Sequence, residues 1–302
     1  MKLKITLIGL IVVLLQGCAV GQRTVLSQAD RGSIKSVDLY NLVIQDEVRP
    51  AVDISNVAGA MGGGLIPALI DSSINKGRSL SAQDVAEPLF FATDSVDFRK
   101  MLAKEINTSV TSLYTLRSQK DVAETKLLSD PDLIAKIKQL NEGENLLYTS
   151  SFYNLMENSK SIKVETVAFV FKKSSTAKSG KPKPIYFNRL AYISESVGNG
   201  EADSIAAWAK NNGELFVKIL SDGAAEIAQV LKYDLQNSVQ FECNKLVAAD
   251  IFGFNGAKFN IKSILVEQKP TRAVVRNSAD GALYSVPGTP VPSKELNKKC
   301  KQ

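Results

Sequence analysis

Histidine is absent from all 302 residues. That gap excludes Ser-His-Asp and Cys-His catalysis and removes the commonest zinc ligand. Cysteine is almost as scarce: only Cys18, Cys243 and Cys300 are present. The last two are 57 positions apart, so they form neither a CxxC redox pair nor a cysteine-rich zinc site. No GxGxxG follows a strand-like run, and Lys76-Gly77-Arg78-Ser79 lacks the lysine that a phosphate loop places after its glycine. No GxSxG elbow occurs. Asp130-Pro131-Asp132 lacks the glycine and terminal glutamate of a calcium loop and reads as a helix start. Glu142 and Glu144 read as solvated acids, because neighbours in sequence need not converge in space as glycosidase carboxyls must. A Ser–Lys dyad is compatible with the composition, but no S-x-x-K stands in a persuasive setting. The sequence therefore offers no catalytic set, no metal site and no cofactor motif.

A membrane-spanning run is also missing near the start. Lys2 and Lys4 precede an apolar stretch from Ile5 to Leu15, which falls short of the ~20 residues a transmembrane helix needs. Basic residues, a short apolar run and small residues before a cut describe a secretory leader. Leu15-Gln16-Gly17-Cys18 resembles the lipobox of bacterial lipoproteins. The resemblance implies that a leader of residues 1–17 is removed and that Cys18 becomes a lipidated N-terminus. Two or more acyl chains there suffice for stable anchoring. By resemblance to the sorting rule of Gram-negative lipoproteins, Ala19 implies an outer-membrane anchor with the domain facing the periplasm.

Removing the leader leaves 285 residues and lowers the formal charge from +6 to +4. That balance is too mild to argue for nucleic acid. With Cys18 lipidated, Cys243 and Cys300 admit one disulfide in an exported chain, or remain two thiols.

Residues 18–34 read as a polar tether and Val37 to Ile44 as a first strand. Ile54 to Ile70 runs for 17 residues without a charge. Gly59 and Gly63 form a GxxxG, and Ala60, Gly64 and Ala68 repeat the small-residue spacing. Such spacing lets helices associate in a bilayer, but three consecutive glycines argue for a loop leading into a buried helix.

Ser81-Ala82-Gln83-Asp84 signals a helix start. A helix opening near Thr93-Asp94 places Phe98, Leu102, Ile106, Val110 and Leu113 on one face. Another begins at Asp130-Pro131 and buries Leu133, Ile134, Ile137 and Leu140. Asn145 to Met156, Ile162 to Lys172 and Ile185 to Ile193 read as strands. The middle one is apolar on both faces and therefore central. A connection from Lys172 to Pro184 carries five lysines and no acid. A helical stretch around Trp208, then a long amphipathic helix beyond Gly213, precede a β-rich tail over 237–302.

This order predicts an α+β fold: a mixed or antiparallel sheet packed against several helices in 35–236, with a small β-rich C-terminal region. It is similar in outline to periplasmic domains of the curli-secretion lipoprotein and Tol-protein amino-terminal type. The expected role is a lipid-anchored, non-enzymatic binding or scaffolding protein of the cell envelope. Its partners would be the membrane, through Cys18, and unidentified envelope proteins, with oligomeric state left open. The curli-secretion resemblance implies an alternative, an oligomeric membrane-active or secretion-accessory protein using residues 54–70. A histidine-free envelope hydrolase is the third.

Overall fold

The structure is a computed structural model and describes residues 23–43, 86–117, 123–126, 128–156, 159–173, 182–237, 246–252 and 258–292. Cys18, Cys243, Cys300 and the stretch containing Gly59, Gly63, Gly64 and Ala68 lie outside these residues. The fold is α+β. Five helices pack on one ten-stranded mixed sheet among the described residues.

The chain runs α1 (Gln28–Ser33), β1 (Ser36–Val43), a helical segment at 86–93, α2 (Phe98–Thr111), β2 (Thr115–Leu116) and α3 (Asp130–Gln139). Then come β3 (Asn145–Met156), β4 (Ser161–Lys172), β5 (Tyr186–Ile193) and the long α4 (Glu201–Gln236). The last strands are β6 (Leu246–Phe252), β7 (Lys258–Gln268), β8 (Arg272–Asn277), β9 (Leu283–Pro287) and β10 (Val291–Pro292). The sheet order is β10-β6-β7-β8-β9-β5-β4-β3-β1-β2. Strands β3, β4 and β5 are antiparallel neighbours, while β1 joins β3 and β9 joins β5 in parallel. The C-terminal strands thus extend the main sheet rather than forming a separate tail.

Local sequence explains the helix boundaries. Asp97 caps α2 by accepting from the Lys100 N–H, so that helix starts a turn after Thr93-Asp94. Ser129 and Asp132 form a reciprocal capping box on α3, with Pro131 in the first turn where its missing N–H costs nothing. In α4 the helical geometry breaks over Lys210 to Gly213, with left-handed φ at Asn211, Asn212 and Gly213. A Cβ at residue 213 would stand 2.7 Å from the Thr93 methyl, so only glycine fits there.

Strand alternation divides the core. Val37, Leu147, Val164, Val170, Tyr186 and Leu190 face α2, α4 and the 86–93 segment. On the opposite face Tyr40, Tyr148, Phe169, Phe171 and Phe187 form an aromatic cluster with Leu133 and Ile137 of α3. A third cluster, with Ala191, Ile193, Ala249, Ala273, Val275 and Val286 among its members, is buried along β5 to β9. α4 comes close to the sheet at Gly223, where a Cβ would meet Tyr192 and Val164 at 2.9 and 3.0 Å.

The sheet has two distinct ends. At the Asn145 end lie the starts of β1, β3, β5 and β9, the close of β4 and the C-terminus of α4. At the Met156 end lie the Ser159 turn, the start of α2 beside Tyr153, and Trp208, whose indole donates to the Ser159 carbonyl at 2.7 Å. Twelve residues of β3 separate the ends by about 40 Å.

Residues 23–33, expected as part of the tether, belong to the fold. Thr24 and Phe187 exchange two backbone hydrogen bonds of 2.9 and 3.0 Å, and Leu26 is 1% exposed in the main core. The polar composition hid one buried leucine and a strand-like bridge. In a tether Leu26→Ala would be silent; here it should destabilise by about 2–5 kcal/mol in urea denaturation.

Candidate functional site

The highest concentration of buried charge lies between α4 and strands β8 and β9. Asp234 in the last turn of α4 is 0% exposed. Its Oδ1 accepts from Arg23 at 2.6 Å and from Arg276 at 2.8 Å. Its Oδ2 accepts from the Tyr186 hydroxyl at 2.9 Å and the Asn188 amide at 2.7 Å. Two turns earlier, Glu226 accepts from both Lys269 Nζ, at 2.7 and 2.8 Å, and the Ser285 hydroxyl at 2.9 Å. Arg272 donates to Ser285 Oγ at 3.1 Å and lies 4.1 Å over the Tyr192 ring.

The geometry follows from two repeats. Glu226 and Asp234 are eight helical residues apart, about 12 Å. Arg272 and Arg276 are four strand residues apart, about 13 Å, and alternation turns both toward α4 while Ala273 and Val275 face the other way. Arg276 also donates to the Gly281 carbonyl at 3.0 Å, and Arg189 ion-pairs with Asp280 in the same turn. Each of the two carboxylates accepts from at least two separate chain segments, Asp234 from the N-terminal segment, β5 and β8, and Glu226 from Lys269 and β9. Its chemistry is cross-linking of the fold, with no displaceable or reactive group at its centre.

A cleft of about 300 Å³ opens at the Met156 end between β5, β6 and β9, with Ser161, Ser194, Ser196, Asp250, Asn260 and Thr289 among its lining residues. Its serines, Asp250 and Asn260 are engaged within the fold. Ser161 and Ser196 pair at 3.2 Å, and Ser194 accepts from the Ile162 N–H and donates to the Glu195 carbonyl. Asp250 accepts from Asn260 at 3.0 Å. On β4, alternation places Ser161, Lys163 and Glu165 in one row, and Lys163 ion-pairs with Glu165, both about 5% exposed. The serine is thus bonded to another serine and the lysine to a carboxylate, an arrangement of structural partners rather than a nucleophile with its base. No group of three or more Asp, Glu, Cys or His among the described residues is placed to hold a metal ion. No helix among them is long and apolar enough to cross a membrane.

Sequence reasoning overlooked both the Asp234 network and the cleft. A signal for the first existed: Asp234 continues the spacing of Leu220, Ile227 and Leu231, so an acid falls in phase with a buried stripe. The cleft has no such signal, because its serines come from separate loops and strands. Glu142 is exposed, while Glu144 shares Arg117 with Asp38. Of the lysine connection, Lys172, Lys173 and Lys183 are described. Comparison with protein-family models, curated proteins and solved structures finds no match to this chain.

Removing the carboxylate should leave two buried guanidinium groups uncompensated. Asp234→Ala is therefore expected to cost about 3–5 kcal/mol by denaturant titration. A near-neutral result would mean that the network is dispensable.

The tyrosines set the pH response. Burial, reinforced by the Asp234 charge, raises the Tyr186 pKa well above its ordinary value. Burial likewise raises Tyr148 and Tyr284, and pushes Tyr192 up to about 12. Unfolded tyrosines ionise near 10, so this stabilisation is complete below that pH and is lost as pH rises through the folded-state values. With no histidine, no side chain titrates at its ordinary pKa between pH 6 and 8. Stability should be flat across that range. Tyrosinate absorbance should remain below that of eight tyrosines until the protein unfolds in alkali. Titration of all eight near pH 10 in the folded state would contradict it.

Proposed function

We infer that this protein is a lipid-anchored component of the cell envelope whose domain binds or scaffolds other envelope proteins and carries out no chemistry of its own. The observation that carries this reading is a juxtaposition. Leu15-Gln16-Gly17-Cys18 stands five residues before Arg23, and at Arg23 the chain is bonded to Asp234 and Asp280. Five extended residues reach at most ~18 Å. Lipid on Cys18 would therefore hold the Asn145 end close to a bilayer and leave the Met156 end, with its cleft, facing the aqueous compartment. Ala19 favours the outer membrane. The engagement of the cleft hydroxyls supports a binding role over a hydrolytic one.

A second reading has one observation in its favour. Phe91, in the helical segment at 86–93 that follows residues 54–70 in sequence, is 77% exposed. If the Gly59–Ala68 stretch associates between copies, the anchored domain would carry a self-assembling segment.

Two measurements separate these readings. Labelled palmitate should enter the wild-type chain and not Cys18→Ala, and the labelled protein should sediment with outer-membrane markers. The chain from residue 18 onward carrying Cys18→Ala should be soluble without detergent. A detergent requirement, or an oligomer lost on Gly63→Leu, would favour the second reading.

A further inference from the structure

The lysine-bearing connection between β4 and β5 meets the N-terminal segment at the Asn145 end. Lys172 closes β4 and its Nζ lies 3.1 Å from Asp30 of α1. Thirteen residues along from Lys172, the chain passes through Pro184 and Ile185 into β5, where Phe187 pairs with Thr24. Both ends of the connection therefore flank residues 23–33, the segment that leads back to Cys18. Lys173 and Lys183 are exposed, as is Lys35 just beyond α1.

The acids at this end are largely matched. Asp30 meets Lys172, Asp280 meets Arg189, and Asp38 and Glu144 share Arg117. Glu142 is exposed three residues before β3. Among the described residues around the N-terminal segment, the remaining charge is mainly positive, from Lys35, Lys173 and Lys183 with Arg31.

We propose that this end of the domain lies on the bilayer, with the lysines that flank the N-terminal segment seated among anionic lipid headgroups. The proposal rests on the anchor reading for its geometry. A lipid on Cys18 would bring these lysines within reach of the surface, and tethering makes their weak attraction an intramolecular event. The attraction acts only within about a Debye length, ~8 Å at physiological salt, so the end must lie close rather than hover. The consequence is a fixed orientation: the cleft points away from the membrane.

The test uses the unlipidated Cys18→Ala chain from residue 18 onward, so that the lysines alone are measured. Flotation with phosphatidylcholine vesicles should leave it in solution, and inclusion of phosphatidylglycerol should carry it upward at low salt but not at high salt. Lys35→Gln/Lys173→Gln/Lys183→Gln should weaken the anionic partition by roughly a hundredfold, at about fivefold per lysine near such a surface. Lys172 is kept because it holds Asp30, and an unchanged thermal transition would show that the variant folds. Equal partition into neutral and anionic vesicles, or an unaffected triple variant, would overturn the proposal. Anionic preference without palmitate on Cys18 would fail the anchor reading alone; a lipidated Cys18 with no anionic preference would fail this one alone.

Discussion

One carboxylate holds the distant parts of this chain together. Asp234 gathers the N-terminal segment through Arg23, strand β5 through Tyr186 and Asn188, and strand β8 through Arg276. Without it the α4–sheet contact would still bury apolar surface, but two guanidinium groups would face each other in a dry interior. Desolvation makes such a cluster a poor source of net stability and an exacting constraint on arrangement, since any slip leaves charge unpaired. Asp234 fixes α4 against β8 through Arg276, and Glu226 fixes it against β9 through Ser285, to which Arg272 of β8 also donates. A register shift of one strand residue would turn both arginines to the opposite face.

That registration gives physical meaning to the parallel pairing of β5 with β9. Parallel neighbours need a long crossover, and here α4 and three further strands supply it. The pairing is anchored by Arg189 to Asp280 at one end and by Arg272 to the Ile193 carbonyl at the other. The C-terminal strands are thereby welded to the main sheet, and they bury a hydrophobic cluster of their own together with Ala191 and Ile193 of β5.

Much of this architecture was legible in the sequence. Strand β4 announced itself through apolar residues on both faces, and it lies between β3 and β5 as a central strand must. The α2 and α3 stripes and the break before the long helix followed from spacing, capping and glycine. Long-range pairing did not, because alternation fixes which face a residue takes but not which strand lies beside it. The N-terminal segment was misread for a related reason: Arg23 and Thr24 look like solvent-loving residues until Asp234 and Phe187 are placed against them. The charges at Asp234 and Arg276 were readable only by phase. The cleft was not readable at all, since its lining converges from five separate stretches of chain.

The docking of Arg23 and Thr24 also bears on how the molecule comes into being. Their partners lie at Phe187, Asp234 and Asp280, so the first described residues have nowhere to bind until nearly the whole polypeptide is available. Contacts of such high sequence separation form late and slowly. A chain threaded through a translocation channel from its N-terminus would keep this opening segment extended and accessible while the rest is still arriving. If Cys18 is lipidated as proposed, the enzymes acting on it would have that whole interval to work before the domain closes over its own beginning.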